Sequence, residues 1–229
     1  MADSLSPGNE TSDAARWWRA YVLAENDQVD ELRELTAAGD DHARRQLADW
    51  LGDRGRTEEA IEAIRPLADS GDDVAELRLA RWLADGDYLA ELRQRADRGS
   101  YHASGELARL LAEHDMYDEL RERASAGGGD YALRELARRL AQRGMHRELR
   151  ELAVSADPDR RQLILVAAGA GSVGGMDVLR VLADLGDKRG RAWLARRLAG
   201  EGHLDELRQR AATGDGYAQY WLGEALSQS

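Results

Sequence analysis

A glycine-rich stretch in the second half of the chain has the spacing of a dinucleotide-binding turn. The apolar residues 163–168 lead into G-x-G-x-x-G at residues 169–174, a pattern that lets backbone N–H groups approach a pyrophosphate. Asp187 lies near the distance expected for a ribose-binding carboxylate. Such a site also needs parallel strands on both sides, and no other segment has a strand pattern. We therefore interpret residues 167–175 as a joint between helical units, with nucleotide binding as the alternative.

The other residue types that carry chemistry do not form a catalytic or metal-binding pattern. The five histidines fall at turns or helix ends, and none pairs at the helical spacing of a metal site. Carboxylates recur in pairs such as Asp30-Glu31 and Asp118-Glu119, which helix N-termini favour. The chain contains no cysteine, which excludes disulfides, thiolate metal sites and a cysteine nucleophile. We therefore predict no enzyme, no metal and no cofactor.

These residues are arranged on a repeat of about 30 residues, which predicts stacked two-helix units. Each unit contains a Leu-Arg or Ile-Arg step in its first helix, here called helix A, and successive steps are 28–32 residues apart. The steps begin at Leu32, Ile64, Leu92, Leu120, Leu149, Leu179 and Leu207.

Helix A is predicted to end at a Gly-Asp pair, because Gly suits a helix C-terminus and Asp caps the next helix, helix B. The pairs begin at Gly39, Gly71, Gly186 and Gly214. In the last unit, helix A is expected to begin at Asp205. With the Gly as position 1, helix B has small residues at positions 5 and 10 and Leu at positions 9 and 13. In the fifth unit Leu163 is expected at the position of Leu47.

The predicted fold is all-α: an α-solenoid of about seven two-helix repeats of 28–32 residues, wound as a right-handed superhelix. Residues 13–24 resemble an unpaired helix B that precedes the first repeat. The solenoid is therefore expected to span residues 13–226 with a possible joint at residues 167–175, after a disordered tail at residues 1–12.

Tryptophan and arginine recur at positions 8 and 12 of helix B, which lie on one side of the helix. Other units carry charged residues at these positions, so we expect the edge to be half exposed and rich in the residue types of binding hot spots. The alternative is that each Trp fills the seam between its repeat and a neighbour. The candidate ligand-binding strip consists of Trp18, Trp50, Arg78, Trp82, Arg139, Trp193, Arg197 and Trp221.

The arginine after each Leu or Ile step forms a second column, which we interpret as salt-bridge support rather than as a ladder for an acidic ligand. An aspartate lies three residues before the arginine in three units. Three further arginines replace Leu in their helices and are better candidates for ligand contact: Arg95, Arg123 and Arg210.

An Ala-rich helical pair closed by Gly-Asp resembles the tetratricopeptide and short HEAT-like α-solenoid families, over residues 13–226. Residues 56–61 are the most tetratricopeptide-like segment, although most units are shorter than the ~34 residues of that repeat. The resemblance implies a protein-interaction scaffold. HEAT-like DNA glycosylases share the architecture and a similar length, which implies an enzyme with a basic DNA channel as the less favoured alternative.

The net charge of −11 argues against partners that present phosphate backbones or anionic membrane surfaces. No apolar run reaches the ~18 residues of a membrane helix, and the polar start lacks signal-peptide order, so we predict a cytoplasmic protein. The expected partner is a protein or peptide. Tyr217, Tyr220 and Trp221 indicate possible self-association through the C-terminal repeat. The second alternative is a small-molecule-binding or biosynthetic accessory protein with a cleft near residues 167–175.

Overall fold

The computed structural model describes residues 7–126, 129–167 and 175–227, and within these ranges it contains fifteen α-helices and no strand. In chain order the helices are α1 (Pro7–Glu25), α2 (Val29–Ala37), α3 (Asp41–Asp53), α4 (Thr57–Asp69), α5 (Asp73–Asp85), α6 (Leu89–Asp97), α7 (Tyr101–Glu113), α8 (Tyr117–Ser125), α9 (Asp130–Gln142), α10 (His146–Ser155), α11 (Pro158–Ala167), α12 (Gly175–Asp184), α13 (Lys188–Gly200), α14 (Leu204–Ala212) and α15 (Gly216–Ser227).

The Gly-Asp pairs end helix A and begin helix B as predicted. Gly39 has a φ of +88°, in the left-handed region where glycine meets no steric cost. The next residue, Asp40, accepts a hydrogen bond from the Ala43 N–H at 3.0 Å and so caps α3. Asp72 and Asp187 cap α5 and α13 in the same way.

A second left-handed turn, which the sequence analysis missed, connects helix B to the following helix A. Asp27, Asp87 and Asp115 adopt φ values of 57–59° at this turn, where other repeats place glycine. Aspartate tolerates this conformation better than most residues. In the last repeat α14 begins directly after this turn, at Leu204, so His203 is its N-cap. The expectation that Asp205 fills that role is therefore wrong.

The helices divide into two compact units, Met1–Leu110 and Leu111–Ser229. In the first unit α3 packs against α1, α2 and α4, and α4 also packs against α5. In the second unit α9 packs against α8 and α11, α12 against α10 and α13, and α15 against α13 and α14. Helices thus contact both the next helix and the next but one, which confirms an all-helical, repeat-like architecture.

The core of the repeats consists of the residues predicted from their period. Ala43 at position 5 and Leu79 and Leu83 at positions 9 and 13 are fully buried. Small residues let neighbouring helices approach, while the leucines supply most of the apolar area that burial removes from water.

The fifth repeat departs from the predicted register by one residue. Ile164 and Leu165 are buried, whereas Leu163 is only partly buried. The reason is the cap: Asp157 accepts hydrogen bonds from the backbone N–H groups of residues 159 and 160 and so takes the place of Asp40. The expectation that Leu163 corresponds to Leu47 is therefore wrong.

Two predictions fall partly outside the described residues. Of the predicted tail, residues 1–6 lie outside them, and α1 begins at Pro7. Of the predicted joint, residues 168–174, which include the G-x-G-x-x-G pattern, lie outside them. In the described part of the chain, no helix combines the length and apolar character needed to cross a membrane.

Candidate functional site

Positions 8 and 12 of helix B face the preceding helix B in the first unit. Arg78 of α5 forms an ion pair with Asp49 of α3. The ring of Trp82 lies against Gly52 of α3, and a Cβ atom added at that glycine would come within 2.7 Å of the ring. Two members of the candidate strip therefore lie in the seam between α3 and α5.

Trp50 lies one repeat earlier, where α3 contacts the turn between α1 and α2. Its indole N–H donates to the Asp27 carboxylate at 2.8 Å, and the Arg54 guanidinium lies 4.0 Å from the centre of its ring. Arg54 is also paired with Asp27, so the aspartate of the left-handed turn holds both side chains. The contacts of Trp50, Arg78 and Trp82 correspond to the alternative interpretation, in which these side chains fill the space between repeats.

The strip members of the second unit have local partners. Arg139 lies 3.3 Å from Glu135 and Arg197 lies 2.6 Å from Glu201, one turn away on or next to the same helix. Trp193 is exposed, and Trp221 is partly buried with Tyr220 edge-on to its ring at 5.5 Å.

Trp18 is the most exposed tryptophan of the candidate strip, with 57% of its surface exposed. It belongs to a cluster with Trp17 and Tyr21, in which the ring centroids of neighbouring residues are 5.5–6.1 Å apart. The opposite side of α1 is buried through Ala20 and Leu23. We name the three aromatic residues Trp17, Trp18 and Tyr21 the α1 aromatic face.

The sequence analysis included Trp18 but missed Trp17 and Tyr21. The available signal was a pair of adjacent tryptophans followed by a tyrosine one turn later, since residues three and four apart are neighbours on a helix. That signal was lost because the analysis compared repeats position by position, and no other repeat combines aromatic residues at the three positions of Trp17, Trp18 and Tyr21.

Several arginines that follow the Leu or Ile steps form ion pairs with carboxylates. The predicted pairs with aspartate three residues earlier are present for Arg33, Arg121 and Arg208, at 3.9, 3.7 and 2.8 Å. Two more arginines reach glutamates of the following helix A: Arg65 lies 3.0 Å from Glu91, and Arg180 lies 2.9 Å from Glu206.

Arg95 is buried rather than free to contact a ligand. Its surface is only 8% exposed, and its guanidinium lies 2.8–3.1 Å from Asp69, Glu76 and Glu91. The expectation that Arg95 is a ligand-contact residue is therefore wrong, because Asp69 and Glu76 of the preceding repeat and Glu91 of its own helix surround it.

Arg123 and Arg210, the other two candidates, are also paired. Arg123 lies 3.0 Å from Glu119, and Arg210 lies 3.0 Å from Asp184 and 3.2 Å from Glu206. These carboxylates hold the guanidinium groups in place on the helix surface.

These pairs change the ionisation of the carboxylates. Hydrogen bonds from Arg180 and Arg210 hold the pKa of Glu206 below its ordinary value, although burial opposes them. Burial also raises the pKa of Glu91, but hydrogen bonds from Arg65 and Arg95 outweigh it, so this pKa is lowered too. Ionised carboxylates thus join helices of successive repeats.

Among residues 7–126, 129–167 and 175–227, no three His, Asp or Glu side chains come close enough together to hold a metal ion. The chain matches no protein-family model, no curated protein and no solved structure at a significant level.

Proposed function

We propose that this protein is a non-enzymatic helical-repeat scaffold that binds an α-helix of a partner protein on the α1 aromatic face. The observation that carries the proposal is the exposure of Trp17 and Trp18, 43% and 57%, on a helix whose other side is buried in the core. Trp and Tyr dominate the energetics of protein interfaces because they bury large apolar areas at little conformational cost.

The repeats themselves provide the geometry of binding. In α5, position 8 is Arg78 and position 12 is Trp82, and both contact the preceding helix, α3. In α1 the same positions are Trp18, which is 57% exposed, and Val22, which is partly buried. A partner helix that lies on α1 as α3 lies on α5 would bury these side chains.

The same comparison defines the partner helix. Opposite position 12, α3 places Gly52 against the ring of Trp82, whereas α1 has the smaller Val22 at this position, so a partner helix has room for an apolar side chain there. Opposite position 8, α3 places Asp49 to pair with Arg78. Since α1 has Trp18 there, an apolar residue replaces the acid in the expected partner, which is therefore an amphipathic helix with an apolar face.

The proposed scaffold is an α-solenoid. The packing of each helix against the next and the next but one supports an α-solenoid. We infer a right-handed superhelix, a relationship to tetratricopeptide or short HEAT-like repeats and a cytoplasmic location, all from the sequence pattern. The DNA-glycosylase alternative requires unpaired basic residues along one face, and the ion pairs of Arg65, Arg95 and Arg180 give it no support.

The test begins with a photo-crosslinking amino acid at Tyr21 in the full-length protein, expressed in its native host. The cross-linked peptide is identified by mass spectrometry, and a synthetic peptide of that segment is then titrated into purified protein. We expect a helical segment of another protein that binds wild type and binds the Trp17→Ala/Trp18→Ala variant at least tenfold more weakly. Trp193→Ala removes an exposed tryptophan of the second unit and is the matched control, with unchanged binding expected.

Two results would overturn the proposal. Equal binding by wild type and the Trp17→Ala/Trp18→Ala variant would place the contact elsewhere. Cross-links that join only two copies of this chain would replace partner binding by self-association, which sedimentation of the wild-type protein and the variant would measure independently.

A further inference from the structure

An open cleft of ≈560 Å³ lies in the second unit, between the first turn of α11 and the turn that joins α12 to α13. Its volume lies in the range of sites for small ligands. Leu163 and Leu185 form apolar walls of the cleft, and 39% of the surface of Leu185 is exposed.

Three cations line this cleft: Arg161, Lys188 and Arg189. Lys188 is the single lysine of the chain. Neither Lys188 nor Arg189 makes an ion pair among the described residues, and residues 168–174 contain no carboxylate in their sequence. Arg161 donates to the backbone oxygen of Ala153 at 3.2 Å, which fixes its position without neutralising its charge.

Two acidic residues also line the cleft, and neither forms an ion pair with these cations among the described residues. Asp187 is engaged as the cap of α13, since its carboxylate accepts the Gly190 N–H at 2.7 Å. Asp159 is exposed and makes no ion pair in the described part of the chain. Several arginines of the column are by contrast paired with carboxylates, as Arg180 is with Glu206.

We propose that this cleft binds a phosphomonoester attached to a small apolar group. A phosphomonoester carries close to two negative charges at neutral pH and several acceptor oxygens, which suits an ammonium and two guanidinium groups. The apolar group would lie against Leu163 and Leu185. This site is independent of the α1 aromatic face, and its test therefore does not depend on the proposed function.

The probe is phenyl phosphate, titrated into the ¹⁵N-labelled full-length protein at low ionic strength, where screening is weak. We expect shifts of the backbone amide signals of residues 185–189. Phenol, which lacks the charge, is the matched ligand control and should leave these signals in place. The double variant Lys188→Gln/Arg189→Gln should weaken phenyl phosphate binding about tenfold or more, because it removes two of the three cations.

Arg196→Gln is the control variant. Arg196 is exposed on the same helix as Lys188 and Arg189 but does not line the cleft. Binding that is retained in Arg196→Gln and lost in the double variant supports the proposal. The proposal is wrong if phenyl phosphate shifts no amide of residues 185–189 up to about 10 mM, well beyond the affinity of a specific site. Equal weakening by Arg196→Gln would also overturn it, since it would indicate general charge attraction.

A free metabolite and a phosphorylated side chain both present this chemistry. A short phosphotyrosine peptide distinguishes them. Tighter binding of the peptide than of phenyl phosphate would assign the site to a phosphorylated protein, and weaker binding would assign it to a small molecule.

Discussion

The ring of Trp82 lies against Gly52, across the seam between α5 and α3. The Cζ2 atom of the indole is 2.7 Å from the point where a Cβ atom at residue 52 would lie. Side chains essentially never approach so closely, so the glycine and the tryptophan are complementary parts of one interface between repeats.

Gly52→Ala is therefore expected to destabilise the protein by about 1–3 kcal/mol, because the methyl group forces the indole or the helix to move. Equilibrium urea unfolding followed by circular dichroism measures the effect. Gly223→Ala, in α15 where nothing lies within 4 Å of the added atom, is the control and should be neutral or stabilising by about 0.5–1 kcal/mol. Equal effects of the two substitutions would contradict the seam geometry.

The two tryptophans of the candidate strip that differ most in their surroundings should respond differently to truncation. Trp82→Ala removes a ring packed against α3 and is expected to cost about 3 kcal/mol in the free energy of unfolding. Trp18→Ala, at an exposed position, should change it by less than about 1 kcal/mol. Thermal or urea unfolding of both variants tests this contrast. A large destabilisation by Trp18→Ala would indicate that α1 depends on its aromatic face for folding.

Among the arginines described above, Arg95 is the one whose substitution we expect to lower the free energy of unfolding most. Arg95→Met leaves three carboxylates, from Asp69, Glu76 and Glu91, without their shared cation and should cost about 3 kcal/mol. Arg208→Met removes an exposed pair with Asp205 and should cost less than about 1 kcal/mol. The comparison uses the same unfolding experiment, and similar values for both variants would contradict the buried position of Arg95.

Acid should weaken the link between α12 and α14. The pKa of Glu206 is held below its ordinary value of 4.5, chiefly by the hydrogen bond from Arg180. A carboxyl group whose folded pKa is lowered stabilises the protein above its unfolded pKa, and this contribution is lost as the pH falls through the folded pKa. We expect Arg180→Gln to be less stable than wild type at pH 7, with the difference shrinking below about pH 4.5.

The measurement is urea unfolding of both proteins at several pH values between 7 and about 3. Arg208→Gln, which disrupts only an exposed pair, is the control and should follow the pH dependence of wild type. A constant difference between Arg180→Gln and wild type over this pH range would show that the ion pair with Glu206 does not cause the effect.

Much of the fold could be predicted from the sequence because its determinants are local. A Gly-Asp pair such as Gly39-Asp40 ends one helix and caps the next through contacts within a few residues, whatever the rest of the chain does. The leucine and alanine period likewise defines the buried side of each helix B, so Ala43 and Leu79 could be assigned to the core. In the fifth repeat the predicted register was wrong by one residue, because the cap at Asp157 sets the start of the helix.

The roles of the side chains between repeats depended on the tertiary structure. Sequence reasoning expects exposure for both Arg95 and Trp18, but Arg95 is buried among acidic side chains, whereas 57% of the Trp18 surface is exposed. Two of the three carboxylates around Arg95 come from other helices, such as Glu76, which lies 19 positions away in the chain. The sequence by itself determined where helices end and begin at the Gly-Asp pairs and which leucines those helices bury, because those signals act over one or two turns. Only the packing of successive repeats decided which charged and aromatic side chains are paired or buried and which remain exposed, because burial and ion pairing depend on the neighbours that folding brings together.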